Sequence, residues 1–196
     1  PQLMTPEALQ DFKQNYEAMS GLPIPDDFLQ HGQVYACFSR GQMISGWVLS
    51  TRAPFRTLDV FTSQTNREQI SGLLKDPLKY LEICCFWVDP AHRRKLYYNV
   101  LCWLKMSWSV HRQRHPFVLF GTNSIGLAKL YGHPKNSLLL SKDQVHGRQT
   151  FIFIARRKDL FWGVLEIIKA KILGRKISLP VPKNNLHLQL SYEIAR

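Results

Sequence analysis

The residues with chemical potential in this chain cluster around one apolar run and the basic turn that follows it. Tyr80–Val88 (YLEICCFWV) carries a single charged residue, Glu82, in an otherwise apolar, β-favouring segment. Carboxylates are seldom buried without a partner or a task, so Glu82 is a candidate proton acceptor, with a structural salt bridge as the plainer reading. The run ends at Asp89-Pro90 and gives way to Ala91-His92-Arg93-Arg94-Lys95, after which a helical pattern begins. Backbone N–H groups at the start of a helix, with its positive dipole end, suit an anion such as a pyrophosphate. A solvated basic face is the alternative for the three cations. Yet cations that open a helix oppose its dipole, and a nearby anion would relieve that conflict.

Other reactive residue types point nowhere specific. His92, His111 and His115 have no metal-ligand spacing, so no metal is expected. Cys37, Cys84, Cys85 and Cys102 show no CxxC spacing and sit in apolar runs, as buried free thiols of a reducing cytoplasm would. No Gly-x-Ser-x-Gly or Cys/His signature marks a covalent nucleophile.

The elements that must position these residues follow from periodicity. Residues 5–19 read as an amphipathic helix with Thr5 as N-cap, Pro6 in the first turn, and Leu9, Phe12 and Tyr16 on one face. Asp26–Gln30 suggests a short second helix. Gln33–Ser39 and Met43–Thr51 alternate as strands around Arg40-Gly41-Gln42, a hairpin signal. Arg52–Thr62 reads as a strand or a loop, and Asn66–Leu74 as a short helix. Tyr80–Val88 reads as a strand buried on both faces. A long helix is expected over 91–112, with Leu96, Val100, Trp103 and Leu104 at helical spacing. Phe117–Gly121 is a second buried strand, Ile125–Tyr131 a short helix, Val145–Gln149 a turn and Phe151–Ala155 a strand. Asp159–Leu173 is an amphipathic helix with a stripe of Leu160, Phe161, Val164, Leu165, Ile168 and Ile172. Leu186–Leu190 alternates like a strand.

With 196 residues, 45% hydrophobic and 20% charged, the composition is that of one globular α/β domain spanning 1–196, without repeat or linker. No apolar run approaches the ~20 residues of a bilayer span, and Pro6, Glu7 and Asp11 interrupt the first apolar run, so no secretory leader is expected there. The formal net charge of +12 attracts polyanions, among them nucleic acid, an anionic membrane, a phosphate-bearing cofactor or an acidic carrier protein, with a merely soluble basic surface as the plainer reading. Few arrangements of Gly, Lys and aromatic residues here resemble nucleic-acid motifs, which disfavours the first of these.

The segment from Val88-Asp89-Pro90 through Arg93-Arg94 resembles the central signature of the GNAT acyltransferase superfamily, in which a strand ends in Val-x-Pro before a basic turn and a long helix. Glu82, six residues before Val88, stands where many members carry a glutamate. The stretch from Thr122-Asn123 to Leu130-Tyr131 resembles the family's Asn…Leu-Tyr element. The order of elements matches from about residue 33 to 155.

The resemblance implies a mixed, mostly antiparallel central sheet flanked by helices, and transfer of an acyl group from an acyl-CoA or acyl-phosphopantetheine thioester to a primary amine. It implies Glu82 as the base that deprotonates the amine and Tyr131 as the acid for the departing thiolate. It places the donor on Val88, Arg93, Arg94, Lys95, Leu96 and Asn123. A packed aromatic remains the plainer reading of Tyr131.

The chain departs from the family in having no glycine between Arg93 and Tyr98, where glycines normally admit the phosphates. The interval from Asn123 to Tyr131 is one residue longer than usual in the family, and Gly132-His133-Pro134 replaces Gly-Phe. These departures, with the basic and aromatic character, tilt the expectation toward a medium or long acyl chain or an acyl carrier protein donor, and toward N-acyl amino acid, acyl-homoserine lactone or lipidated peptide products. For the last helix, with Lys169, Lys171, Arg175 and Lys176 near its end, ordinary core packing of the apolar stripe is the plainer reading; carrier-protein or peripheral membrane contact and the wall of an acyl-chain channel are the others. The alternatives are ordinary acetyl-CoA-dependent transfer, or a non-catalytic module that binds nucleic acid or membrane.

Overall fold

The computed structural model describes residues 2–3, 5–74, 76–132, 137–145 and 147–173. Thr5 caps α1 (Pro6–Ser20) by accepting the Ala8 N–H, and Gly21 closes it in the left-handed conformation. Phe12 and Tyr16 are its buried face, and α2 (Asp26–His31) follows. β1 (Gln33–Ser39) and β2 (Gln42–Ser50) form an antiparallel hairpin. Arg40 and Gly41 both take positive φ, 50° and 80°, as the two central residues of a type I′ turn require.

Residues 52–62, expected as strand or loop, instead contain the helix α3 (Arg56–Phe61), with Phe55, Thr57 and Leu58 buried. Two apolar side chains three residues apart are enough to anchor one turn against a sheet, and so short a period is not distinct in sequence. α4 (Gln64–Leu73) follows.

β3 (Tyr80–Val88) has the expected bounds. The helix expected over 91–112 is two helices, α5 (Pro90–Arg93) and α6 (Leu96–His111), separated at Arg94-Lys95. Asp89 caps the first by accepting the Ala91 and His92 N–H groups. Leu96, counted in the apolar stripe, is 50% exposed, so the buried face of α6 runs from Cys102 and Trp103 to Met106 and Val110.

β4 (Phe117–Thr122), α7 (Ile125–Tyr131), β5 (Ser137–Val145), β6 (Arg148–Arg156) and α8 (Arg157–Ile172) complete the order. β5 was not expected. It pairs antiparallel with β6 across a turn at Gly147, and its Asp143 accepts the Ser63 N–H (2.7 Å) and the Asn66 amide (2.9 Å) at the start of α4. The buried positions of α8 are Gly163, Val164, Ile167 and Ala170, a face that includes Ile167 where the expected stripe did not. The side chains of Lys171 and Ile172, and everything expected for His133, Pro134, Arg175, Lys176 and Leu186–Leu190, lie outside the described residues.

The strands form one six-stranded sheet in the order β1-β2-β3-β4-β6-β5, antiparallel except between β3 and β4. α6 and α8 pack on one face over Leu81, Ile83, Val118 and Phe120. α1 packs on the other face over Val34, Val48 and Cys84, and α3 beside it over Tyr80 and Leu119. Two glycines permit this closeness. A Cβ on Gly46 would overlap the Phe12 ring of α1, and one on Gly121 would meet Phe61 Cδ2 of α3 at 2.6 Å. Trp47 ties β2 to α6 by donating its indole N–H to Ser109 Oγ at 2.9 Å.

Candidate active site

The central feature of the site is a failure of pairing. β3 and β4 run in parallel register from Tyr80↔Phe117 to Ile83↔Phe120 and pair no further, although β3 continues to Val88 and β4 to Thr122. A bulge accompanies the separation. Gly46 faces Trp87 and Val48 faces Cys84, leaving Cys85 and Phe86 opposite Trp47. Cys85 takes φ 54° there, a left-handed conformation uncommon for a residue with a side chain. The bulge also resets side-chain parity. Cys84 and Cys85 both pack on the α1 face, after which Phe86 and Val88 lie with the α6 cluster and Trp87 with the α1 cluster.

The gap between the separated strands opens into a cavity of about 680 Å³. Tyr16, Met19 and Leu22 line it from the α1 side, and Trp103, Met106, Leu160, Val164 and Ile167 line it from the α6 and α8 side. The space therefore runs through the sheet and touches both layers of helices. Its walls are chiefly apolar, with Arg93, Asn99, Thr122, Asn123, Lys129 and Asp159 among the polar groups. Such a chamber suits a ligand with a long apolar part and a few fixed polar contacts.

Of the residues singled out in the sequence, Tyr131, Asn123, Val88 and Arg93 line this cavity. Tyr131, on the last turn of α7, packs against Phe120 (5.1 Å between centroids), Trp103 (5.7 Å) and Phe153 (5.9 Å). Removal from water pushes its phenol pKa up, so it stays a proton donor at working pH. Asn123 lies between Thr122, whose Oγ1 accepts the Ser124 N–H at 3.0 Å, and Ser124, whose Oγ caps α7.

Arg94, Lys95 and Leu96 do not line the cavity; they are exposed, the first two between α5 and α6 and Leu96 at the start of α6. Arg93 donates to the Val88 carbonyl at 3.0 Å, and the Asn99 amide donates to the Arg93 carbonyl, so the turn is braced by side chains in place of glycines. Arg93 closes α5, where a cation complements the dipole. Lys95 lies over the Tyr98 ring at 5.9 Å and is the N-cap of α6 without a side-chain cap bond, which leaves the first N–H groups of this 16-residue helix without a side-chain acceptor from the cap.

Glu82 does not line the cavity. It is 0% exposed and points to the α1 and α3 face, where Oε1 accepts the Thr57 N–H at the start of α3. Oε2 has no hydrogen-bond partner among the described residues. Burial pushes the carboxyl up to about 7, against the downward pull of hydrogen bonding from Thr57 and the nearby Arg56 guanidinium. The next two residues, Ile83 and Cys84, do line the cavity. Glu82 and Tyr131 thus lie on opposite faces of the sheet.

Sequence reasoning missed the bulge at Cys85 and the contribution of α1, Thr122, Asp159 and Ile167 to the wall. A bulge in a continuous apolar run leaves no periodic mark, because both faces of the strand are apolar anyway. Among the described residues no three His, Cys, Asp or Glu side chains converge as metal ligands.

Neither a protein-family model nor a curated protein matches the sequence. Solved structures do. The N-acyl amino acid synthase FeeM from uncultured soil microbes is 10% identical, with 82% of this chain and 91% of that one covered at a TM-score of 0.59. The CoA-dependent acyl-homoserine lactone synthase BjaI, with SAM and isopentyl-CoA, is 13% identical over 95% and 93% at 0.56. An acetyltransferase from Bacillus subtilis in complex with CoA is 14% identical over 79% and 94% at 0.50. At these identities the likeness is one of fold, and the fold is that of the GNAT acyltransferases.

Proposed function

We propose that this chain is an N-acyltransferase that carries an acyl group from a CoA-type or carrier-bound thioester to a primary amine through the gap between β3 and β4. The observation that carries this reading is the cavity that passes between the separated strands and is walled from both helical layers. A donor can enter from the α6 side while an acceptor enters from the α1 side, so the two meet without exchanging places.

The donor's phosphates belong at the start of α6, with its free N–H groups and Arg93, Arg94 and Lys95 at hand. Asn123 and the carbonyl of Val88 flank the path inward. Beyond Ile83 the edge of β3 has no β4 partner, so its backbone is available to hold a thioester in extended form. The amine nitrogen attacks the thioester carbonyl and the tetrahedral intermediate expels the thiolate, which takes the Tyr131 proton. Glu82 has the proton affinity to accept the amine's proton near neutral pH. Its carboxylate does not line the cavity, so this role requires a relay such as a water molecule to carry the proton to it. The apolar arm between Trp103, Met106, Leu160, Val164 and Ile167 takes the acyl chain, which favours a medium or long one.

The proteins of like fold support this choice. FeeM is an N-acyl amino acid synthase and BjaI an acyl-homoserine lactone synthase captured with SAM and isopentyl-CoA. The test is mass spectrometry of amide products after incubation with acetyl, octanoyl and palmitoyl thioesters and a panel of amino acids and amines. Octanoyl or palmitoyl transfer at a higher kcat/KM than acetyl is expected. Acetyl as the best donor overturns the chain-length reading, and no amide from any donor overturns the activity.

A further inference from the structure

Behind the cavity wall, the outer side of α6 and α8 is also apolar. Trp108 of α6 is 55% exposed and Trp162 of α8 is 65% exposed. Trp108 stacks on His111 at 5.7 Å and meets Phe161 edge-on at 6.4 Å, and Phe161 meets Trp162 at 5.8 Å. The four rings form one continuous aromatic ridge across both helices, which are held together by Arg157 donating to the His111 carbonyl. Leu173, 54% exposed, extends the apolar surface past the end of α8. Exposed tryptophans joined in one contiguous patch and rimmed by charged residues mark an interaction surface for a partner.

The charges around the ridge name that partner. Lys105, Arg112, Lys158 and Lys169 are exposed on these two helices and the turn after α6, and Glu166 is the exposed acid among them. α6 contains no acidic residue. The ion pairs among the described residues, Lys13–Asp26, Arg67–Asp59, Lys79–Asp76 and His92–Asp89, all lie elsewhere. Indole rings prefer the headgroup level of a bilayer, and lysine or arginine side chains beside them reach the lipid phosphates. No helix among the described residues is long and apolar enough to cross a membrane.

We propose that the outer face of α6 and α8 docks on an anionic lipid surface, with Trp108, Phe161 and Trp162 at headgroup depth and Lys105, Arg112, Lys158 and Lys169 against the phosphates. The helices then lie in the plane of the membrane, and α8 separates the lipid from the cavity. This surface stands apart from the acyl-transfer reading, since its residues are not those of the cavity wall.

Co-sedimentation of the full chain with vesicles of equimolar phosphatidylglycerol and phosphatidylcholine tests it, beside vesicles of phosphatidylcholine alone. Binding to the anionic vesicles and not to the neutral ones is expected, with a decline as salt is raised. Trp108→Ser with Trp162→Ser lowers the partition coefficient on the order of tenfold. Lys158→Glu with Lys169→Glu does so by roughly tenfold or more, since each basic residue at such a surface contributes about fivefold. The lysine pair is solvent-exposed and leaves packing intact, so it decides the matter should the tryptophan variant fail to fold. Absence of vesicle binding, or binding unchanged in the lysine variant, overturns the proposal. So does a dimer that the tryptophan substitutions dissolve, or variant-sensitive binding to an acidic carrier protein without binding to vesicles.

Discussion

Ile83 and Phe120 are the last residues at which β3 and β4 are paired, and the cavity begins where their ladder stops. The bulge at Cys85 lies two residues past that point on β3. The irregularity accompanies the parting of the strands and leaves the inner edge of β3 free of a β4 partner, while Glu82, still in the paired segment, and Tyr131, on α7, lie on opposite faces of the sheet. The functional predictions concern what each side contributes.

Tyr131→Phe keeps the ring against Phe120, Trp103 and Phe153 and removes only the hydroxyl. Loss of a positioned acid costs about 10²–10⁴ in rate, so kcat falls within that range while KM for the donor is little changed. The thermal midpoint stays close to that of the parent. Steady-state kinetics with a donor whose leaving thiol is unusually acidic should recover most of the loss, and an unaltered kcat would remove Tyr131 from the chemistry.

Glu82 makes a prediction about stability as well as rate. Its folded pKa is raised from an ordinary 4.5 to about 7, so the folded state binds the proton more tightly than the unfolded state does. Below about pH 4.5 both states are protonated and the group exerts no pH-dependent penalty. As pH rises to about 7 the unfolded carboxyl ionises first, and stability falls by about 3 kcal/mol. Glu82→Gln abolishes that decline, so denaturant titrations at pH 5 and pH 8 should differ for the parent and converge for the variant. If Glu82 also takes the amine's proton, kcat/KM of the parent rises through pH 7 and the variant loses that rise.

The contrast between these residues shows what a sequence makes legible. Glu82 stood out because one charge in an apolar strand is conspicuous, and the strand's bounds followed from its composition. Its partner at Thr57 did not, because α3 is a six-residue helix shortly after Pro54, too short to carry a helical period of its own. β5 was missed for a related reason. Leu138, Leu139 and Leu140 form a short apolar run without alternation, and only pairing with β6 makes it a strand. α6 and α8 were legible as helices, but which of their sides faces the cavity depends on packing that an apolar sequence does not record.

Arg94 and Lys95 are predicted to act on the donor's phosphates alone, and Arg93 on the phosphates and on the Val88 carbonyl that it holds. Each alanine substitution removes a charge-assisted contact of about 1.5–3 kcal/mol, which raises KM for a CoA thioester roughly tenfold or more. A thioester of N-acylcysteamine lacks the phosphates, so its kcat/KM should not change in Arg94→Ala or Lys95→Ala. Arg93→Ala also releases the Val88 carbonyl and should slow both donors. Equal losses on both donors in all three variants would assign the cations a structural task.

Val164 offers the most direct test of where the acyl chain lies. It is 3% exposed, sits at the middle of α8 and faces the cavity beside Leu160 and Ile167. Replacing it by Trp fills part of the apolar arm with a rigid ring. An acetyl group has no atoms that reach this depth, whereas each methylene of a longer chain gains about 0.8 kcal/mol by burial there. Val164→Trp should therefore lower kcat/KM for palmitoyl thioesters by several orders of magnitude and for octanoyl less, and leave acetyl transfer close to the parent's. Overpacking elsewhere in a core costs about 1–3 kcal/mol, but here the ring enters existing space, so the thermal midpoint should hold. A uniform loss across the three donors would mean that the chain runs toward Tyr16 and α1, and Met19→Trp would then produce the graded pattern in its place.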